Sequence, residues 1–263
     1  MSKKFIHRVL PALCALLTQF ACAQSPAVTA PDIFQVMGAA YRLQSFDANG
    51  NVSESPVTPA LRDRFFFANC YDTKHCYKKG IPTGAVIFKA PSGFQSTANS
   101  RFPRVELRAM NDFKNGDIFV NQQAGTAFIV TAPITESIIF AQIHGEKTGG
   151  SEMFKLRWQN GQIAAGVKET FGAAEIRYPL APAAIDDKID YSLKAVGDAS
   201  KITVTITLTV NGGAPVSRSF VYLQTNGWAD CGLYFKAGNY NQDGSNDGSE
   251  AVLAYGRLEV SYQ

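Results

Sequence analysis

The sequence predicts an all-β fold, an antiparallel β-sandwich or β-jelly roll. Three observations carry that prediction. In KITVTITLTV, residues 201–210, Ile202, Val204, Ile206, Leu208 and Val210 alternate with threonines without a break, the period of a half-buried strand. Turn residues, drawn from 22 Gly and 12 Pro, separate such runs at short spacing. No strand–helix–strand alternation occurs, and the one window with helical periodicity is a candidate helix over 32–43.

Strands are expected at 84–89, 104–110, 117–130, 137–144, 154–159, 162–167, 191–196, 201–210, 216–223, 232–237 and 251–262. Asn211-Gly212-Gly213 supplies the turn that joins 201–210 to 216–223 as a hairpin. No linker or internal repeat interrupts the series, so residues 24–263 read as a single domain. A chain of 263 residues with 46% hydrophobic residues can bury a sizeable core, which excludes disorder, collagen and coiled coil.

Residues 1–23 read as an export signal. A basic start (Lys3, Lys4, Arg8) precedes an apolar run over 9–17, and Ala21-Cys22-Ala23 offers small residues for cleavage. Cys22 leaves a lipoprotein alternative, against which Gln19-Phe20-Ala21 is a poor match to the usual Leu-Ala-Gly pattern. The apolar run is too short to span a bilayer, and no later stretch has the required length and apolarity. The expected mature chain is therefore secreted or periplasmic, free of the membrane, and monomeric. Its charge is balanced: the formal +3 comes from the three basic residues of the signal, and 22 acidic residues match the rest. A nucleic-acid partner needs a basic surplus and is excluded.

Cys70, Cys76 and Cys231 remain after the signal. Cys70 and Cys76 flank a short loop and are expected to pair in an oxidising compartment. Cys231 lies in an apolar segment and reads as a buried free thiol. No CxxC pair is present, so no metal is expected. The run 243–250 looks like a calcium loop, but the twelfth residue from Asp243 is Ala254 rather than the Glu that an EF-hand needs, so it reads as a polar turn. Asn51-Val52-Ser53 is a formal glycosylation acceptor.

Four strands carry polar residues that solvent-facing alternation explains poorly when they are taken together. In RVELR, Arg104, Glu106 and Arg108 share a face while Val105 and Leu107 oppose them. Gln142 and His144 share a face opposite Ile143. Tyr234 and Lys236 share another, which Tyr240 and Gln242 continue if the chain stays extended through Gly238. Lys155 and Arg157 oppose Phe154, Leu156 and Trp158. Cations, amides and aromatic rings on one concave wall suit a chain of anionic sugars.

These segments resemble a known set. Arg-Val-Glu-Leu-Arg (104–108), Gln-Ile-His (142–144) and Tyr-Phe-Lys-Ala-Gly-Asn-Tyr-Asn-Gln (234–242) are similar, in order and spacing, to the three signature segments of the alginate lyases of polysaccharide lyase family 7. Val105 stands where that family commonly has Ser or Thr. The resemblance covers essentially all of the mature chain. It implies a β-jelly roll that cleaves 1,4-linked uronate chains by β-elimination without a required cofactor, with alginate as the partner.

The implied chemistry removes the C5 proton of a uronate and expels the C4 oxygen. That proton is a poor acid until the adjacent carboxylate is neutralised, and each preorganised donor of this kind is worth about 10²–10³ in rate. By resemblance, Arg104 and Gln142 neutralise the carboxylate and Tyr240 is the acid. The base is His144 or Tyr240, according to the C5 epimer bound. Glu106, Arg108, Lys155, Arg157, Tyr234, Lys236, Asn241 and Gln242 make up the substrate-binding set, Glu106 by orienting the arginines. Ile143, between Gln142 and His144, implies acceptance of guluronate-containing stretches. Three alternatives stand beside this reading. A glycoside hydrolase needs paired carboxylates, and the motif strands hold a single acid, Glu106. A lyase for another polyuronate, such as glucuronan, would share the chemistry. A non-catalytic carbohydrate-binding jelly roll would have no need of His144 and Tyr240 together.

Overall fold

The computed structural model describes residues 40–263 apart from 48, 58–63, 71–75, 79, 95–99, 148–151 and 230. The expected export signal, most of the candidate helix and His75 lie outside the described residues. Sixteen strands follow one another: β1 (Tyr41–Phe46), β2 (Val52–Pro56), β3 (Phe66–Ala68), β4 (Val86–Pro91), β5 (Arg104–Ala109), β6 (Phe113–Lys114), β7 (Phe119–Thr131), β8 (Ser137–Gly145), β9 (Glu152–Gln159), β10 (Gln162–Val167), β11 (Ile176–Pro182), β12 (Ile189–Gly197), β13 (Lys201–Val210), β14 (Val216–Leu223), β15 (Gly232–Asn241) and β16 (Glu250–Ser261). A single 3₁₀ turn, Gln224–Asn226, is the only named helical element among the described residues.

Every strand pairing is antiparallel. One sheet runs β11-β10-β9-β8-β15-β5-β1-β2, with β6 also against β15; the other runs β14-β13-β12-β7-β16-β4-β3. Leu43, Val105, Leu107, Phe140, Ile143, Leu156 and Phe235 from the first sheet meet Phe88, Ile129, Leu193, Ile202, Val204 and Tyr255 from the second in one core. Each such side chain contributes about 1.5–3 kcal/mol by leaving water. This is the jelly-roll sandwich that the alternation predicts, with hydrophobic faces turned inward and the outer face of the first sheet left free.

The expected helix over 32–43 is corrected where it can be seen: Tyr41, Arg42 and Leu43 belong to β1. Tyr41 and Leu43 are core residues two apart, a strand spacing, and pairing with β5 outweighs local helix preference. The polar β2 and the proline-bearing β11 are both sheet edges, where a missing N–H is tolerated and hydrophobic alternation is not required. β3 and β6 are too short to leave a pattern.

Cys70 and Cys76 are disulfide-bonded, and Cys231 is a buried free thiol. Among the described residues no helix is long and apolar enough to cross a membrane, and no group of three His, Cys, Asp or Glu side chains is placed to hold a metal.

Candidate active site

The three motif segments become neighbours because β15 inserts between β8 and β5. Register then sets residues from distant segments side by side in rungs across the outer face. One rung reads Arg42, Arg108, Lys236, Gln142, Lys155, four cations and an amide on five strands. Another reads Arg104, Tyr240, Ile139, Arg157, and a third Tyr234, His144, Glu152.

Gly238 keeps Tyr240 on this face. β15 gains one residue relative to β8 between Ala237 and Tyr240, while its register with β5 is unbroken. Gly238 has φ +135°, and a Cβ there would lie 2.6 Å from the Val105 carbonyl oxygen and 2.7 Å from Glu106 Cα. Only glycine allows so close an approach with that backbone. Alternation then sends Asn239 and Asn241 inward. Asn241 Nδ2 donates to Ala90 O (2.9 Å) and Ser92 Oγ (3.1 Å) of the opposite sheet, and Asn239 Nδ2 to Phe88 O (3.0 Å) and Ala251 O (2.8 Å). Asn241 is thus corrected from a substrate-binding residue to a tie between the sheets.

A cavity of about 210 Å³ opens on the groove face. Going across the strands, Gln44, Arg104, Tyr234, Lys236, Tyr240, His144 and Glu152 line it, with Ser100 from the segment before β5. The Arg104 guanidinium lies 3.8 Å from the centre of the Tyr240 ring, and the Tyr240 hydroxyl is 2.7 Å from Ser100 Oγ. The Arg108 guanidinium lies 4.0 Å from the centre of the Tyr234 ring, whose other neighbour is His144, stacked at 5.5 Å.

His144 Nδ1 is 2.8 Å from Gly145 O. Nδ1 is also 3.2 Å from the Tyr234 hydroxyl; in the tautomer that satisfies the carbonyl, which can only accept, Nδ1 carries the hydrogen and Nε2 presents a lone pair. Burial, then the charge of Lys236, pushes the imidazole down to about 4, so it is neutral at ordinary pH. A neutral imidazole with a free lone pair is the form a general base requires.

Beneath the cavity, Glu106 is 1% exposed. Its Oε1 accepts from Gln142 Nε2 (2.6 Å) and its Oε2 from Lys236 Nζ (2.6 Å) and Arg104 Nη1 (3.4 Å). Burial alone would raise this carboxyl, but Lys236 and Arg104 outweigh it and hold it below the ordinary value. Burial pushes Lys236 down to about 8 although Glu106 pulls the other way. Glu106 is therefore covered, with both oxygens spent on Gln142, Lys236 and Arg104, so it touches Arg104 rather than the open groove. Gln142 is also covered; its Oε1 and its second N–H have no hydrogen-bond partner among the described residues.

The other expected binding residues lie on the same face with their charges already engaged. Arg108 Nη2 donates to Glu146 (2.6 Å) and Asp112 (3.2 Å). Arg157 Nη1 donates to Ser137 Oγ (3.0 Å) and Gln242 Oε1 (3.1 Å). Lys155 Nζ lies 3.2 Å from Glu175. Gln44, Ser100, Glu152 and Glu175 were missed by sequence reasoning. All four stand outside the motifs, Gln44 just past the supposed helix, where only the folded sheet reveals them.

The sequence profile described as "Alginate lyase" matches residues 54–262. Among solved structures, alginate lyase A1-II', a member of polysaccharide lyase family 7, is 27% identical with a TM-score of 0.70, over 89% of this chain and 98% of that one. A variant of that enzyme has been crystallised with a substrate written GGMG and another with a product written GGG. Alginate lyase PA1167 from Pseudomonas aeruginosa is 23% identical with a TM-score of 0.66, over 86% of this chain and 99% of that one, and shares the fold. The alginate lyase from Klebsiella pneumoniae is 19% identical with a TM-score of 0.70, over 89% of this chain and 99% of that one, and likewise shares the fold. No curated protein matches by sequence. With the profile spanning most of the chain and a groove of cations and rings beneath it, the chain belongs to the alginate lyase family and is a polysaccharide lyase.

Proposed function

We propose that elimination takes place at the cavity on β15, with His144 abstracting the C5 proton of guluronate and Tyr240 protonating the departing C4 oxygen. The meeting of His144, Tyr240 and Arg104 around one cavity carries this reading. Arg104, stacked on Tyr240, holds the carboxylate of the sugar whose leaving oxygen the phenol serves. Gln142 adds its second N–H, since a buried donor without a protein partner is costly until a ligand takes it. Each donor aimed at the developing enolate is worth about 10²–10³ in rate. Lys236, Arg108, Tyr234 and Gln242 hold neighbouring sugars.

Guluronate and mannuronate differ at C5, so one base cannot reach both protons equally. Ile143 and the G-containing ligands of the 27% identical relative support guluronate-containing stretches as the preferred substrate. Ile143 is fully buried, so any influence on the sugar acts through the packing that positions β8. Residues 1–23 serve as the export signal, and residues 24–263 act as a monomeric single domain in the periplasm or medium, where oxidising conditions suit the Cys70–Cys76 bridge. The test is initial rates of ultraviolet-absorbing product on purified block polymers. Polyguluronate and mixed blocks are expected to be cut fastest. A clear preference for polymannuronate overturns the assignment and makes Tyr240 the base as well as the acid.

A further inference from the structure

At the β9–β11 end of the groove, the protein fills a uronate-like anion site with its own carboxylate. Glu175, just ahead of β11, lies 3.2 Å from Lys155 Nζ, 3.5 Å from Arg157 Nη2 and 2.8 Å from Arg177 Nε. The rung that begins at Arg42 continues past Lys155 to Gly166 and Arg177. Gly166 has no side chain to project between those two cations, and the Glu175 carboxylate takes the vacancy: a Cβ on Gly166 would stand 2.6 Å from Glu175 Cδ. The notch is thus one carboxylate wide, with a cation on either side and Arg157 supplying a third from the next rung. Burial alone would raise the Glu175 carboxyl, but Lys155, Arg177 and Arg157 outweigh it and keep it ionised.

We propose that Glu175 determines how long a uronate chain the groove reads. By occupying the place a sugar carboxylate would take, it withdraws Lys155, Arg157 and Arg177 from the substrate and leaves recognition to the β1–β8 side. The same three cations, freed, would add a sugar-binding position. The inference rests on the lyase reading, and the experiment separates the two. Binding of short and long guluronate oligomers is measured by calorimetry in a Tyr240→Phe background, with and without Glu175→Gln, while ultraviolet product formation is followed separately in the enzyme with Tyr240 intact. Glu175→Gln is expected to tighten the long oligomer about threefold to fivefold, the range of a partly exposed charge pair, and to leave the short one unchanged. The gain should shrink in high salt, which screens such pairs. Glu175→Asp, one methylene shorter, should tighten the long oligomer less and in the same direction, and serves if the Gln variant does not fold. Equal affinities for both lengths, or an equal weakening of both, overturns the proposal. Loss of ultraviolet product with Tyr240 intact speaks against the lyase reading alone.

Discussion

At the residue scale, two side chains divide the chemistry and each has its own signature. Tyr240→Phe keeps the ring beneath Arg104 and loses only the hydroxyl. Turnover is expected to fall about 10²–10⁴-fold, the usual worth of a positioned acid, with oligomer affinity nearly unchanged. Near-normal turnover would move the acid role elsewhere. His144 predicts a pH profile. A base works only without its proton, and burial with Lys236 holds this one at about 4, so kcat/KM on polyguluronate should stay level on acidification until that region. Lys236→Met removes the neighbouring charge and leaves Glu106 less compensated. Both changes favour the protonated imidazole, so the acid limb should move to higher pH, toward the ordinary histidine value of about 6.5. A limb that does not move, measured across the same buffers, removes His144 as the base for this substrate.

At the element scale, β15 decides whether the site exists. Its alternation places Tyr234, Lys236 and Tyr240 outward, and Asn239 and Asn241 into amide bonds with the facing sheet. Gly238→Ala would force a methyl against the β5 backbone. The combined strain and overpacking should cost about 2–4 kcal/mol, read as a lower urea midpoint. An unchanged midpoint would mean that β5 and β15 separate at little cost. This strand also shows what the sequence made legible. Strict alternation was enough to place β13 and the turn after it to place β14, and the motif strands were visible because polar residues recurred every second position. The reversal at Asn241 was not visible, because the same amide suits a sugar or a carbonyl of the facing sheet. β2 and β11 went unread since an edge strand need not alternate, and β1 because its first half fell in a window that also fits helical spacing. Glu106 appeared in the pattern, but its burial depends on Lys236, Gln142 and Arg104 arriving from three strands.

At the scale of the whole molecule, the two sheets separate the work. The inner faces supply a continuous apolar core, and the outer face of one sheet carries nearly every group discussed as catalytic or binding. Sequence alternation announces such a division, but it does not announce which strands lie side by side. Residues 104, 142 and 236 share a site only through the strand order β8-β15-β5. The insertion of β15 has a consequence for the enzyme's birth. A ribosome must release residues 232–241 before His144 and Arg104 acquire the tyrosine that stands between their strands. Until then β5 and β8 have no common partner, and the groove floor is open down its middle. The site's two sides, fixed early in the chain, are joined only by a strand that comes late in it.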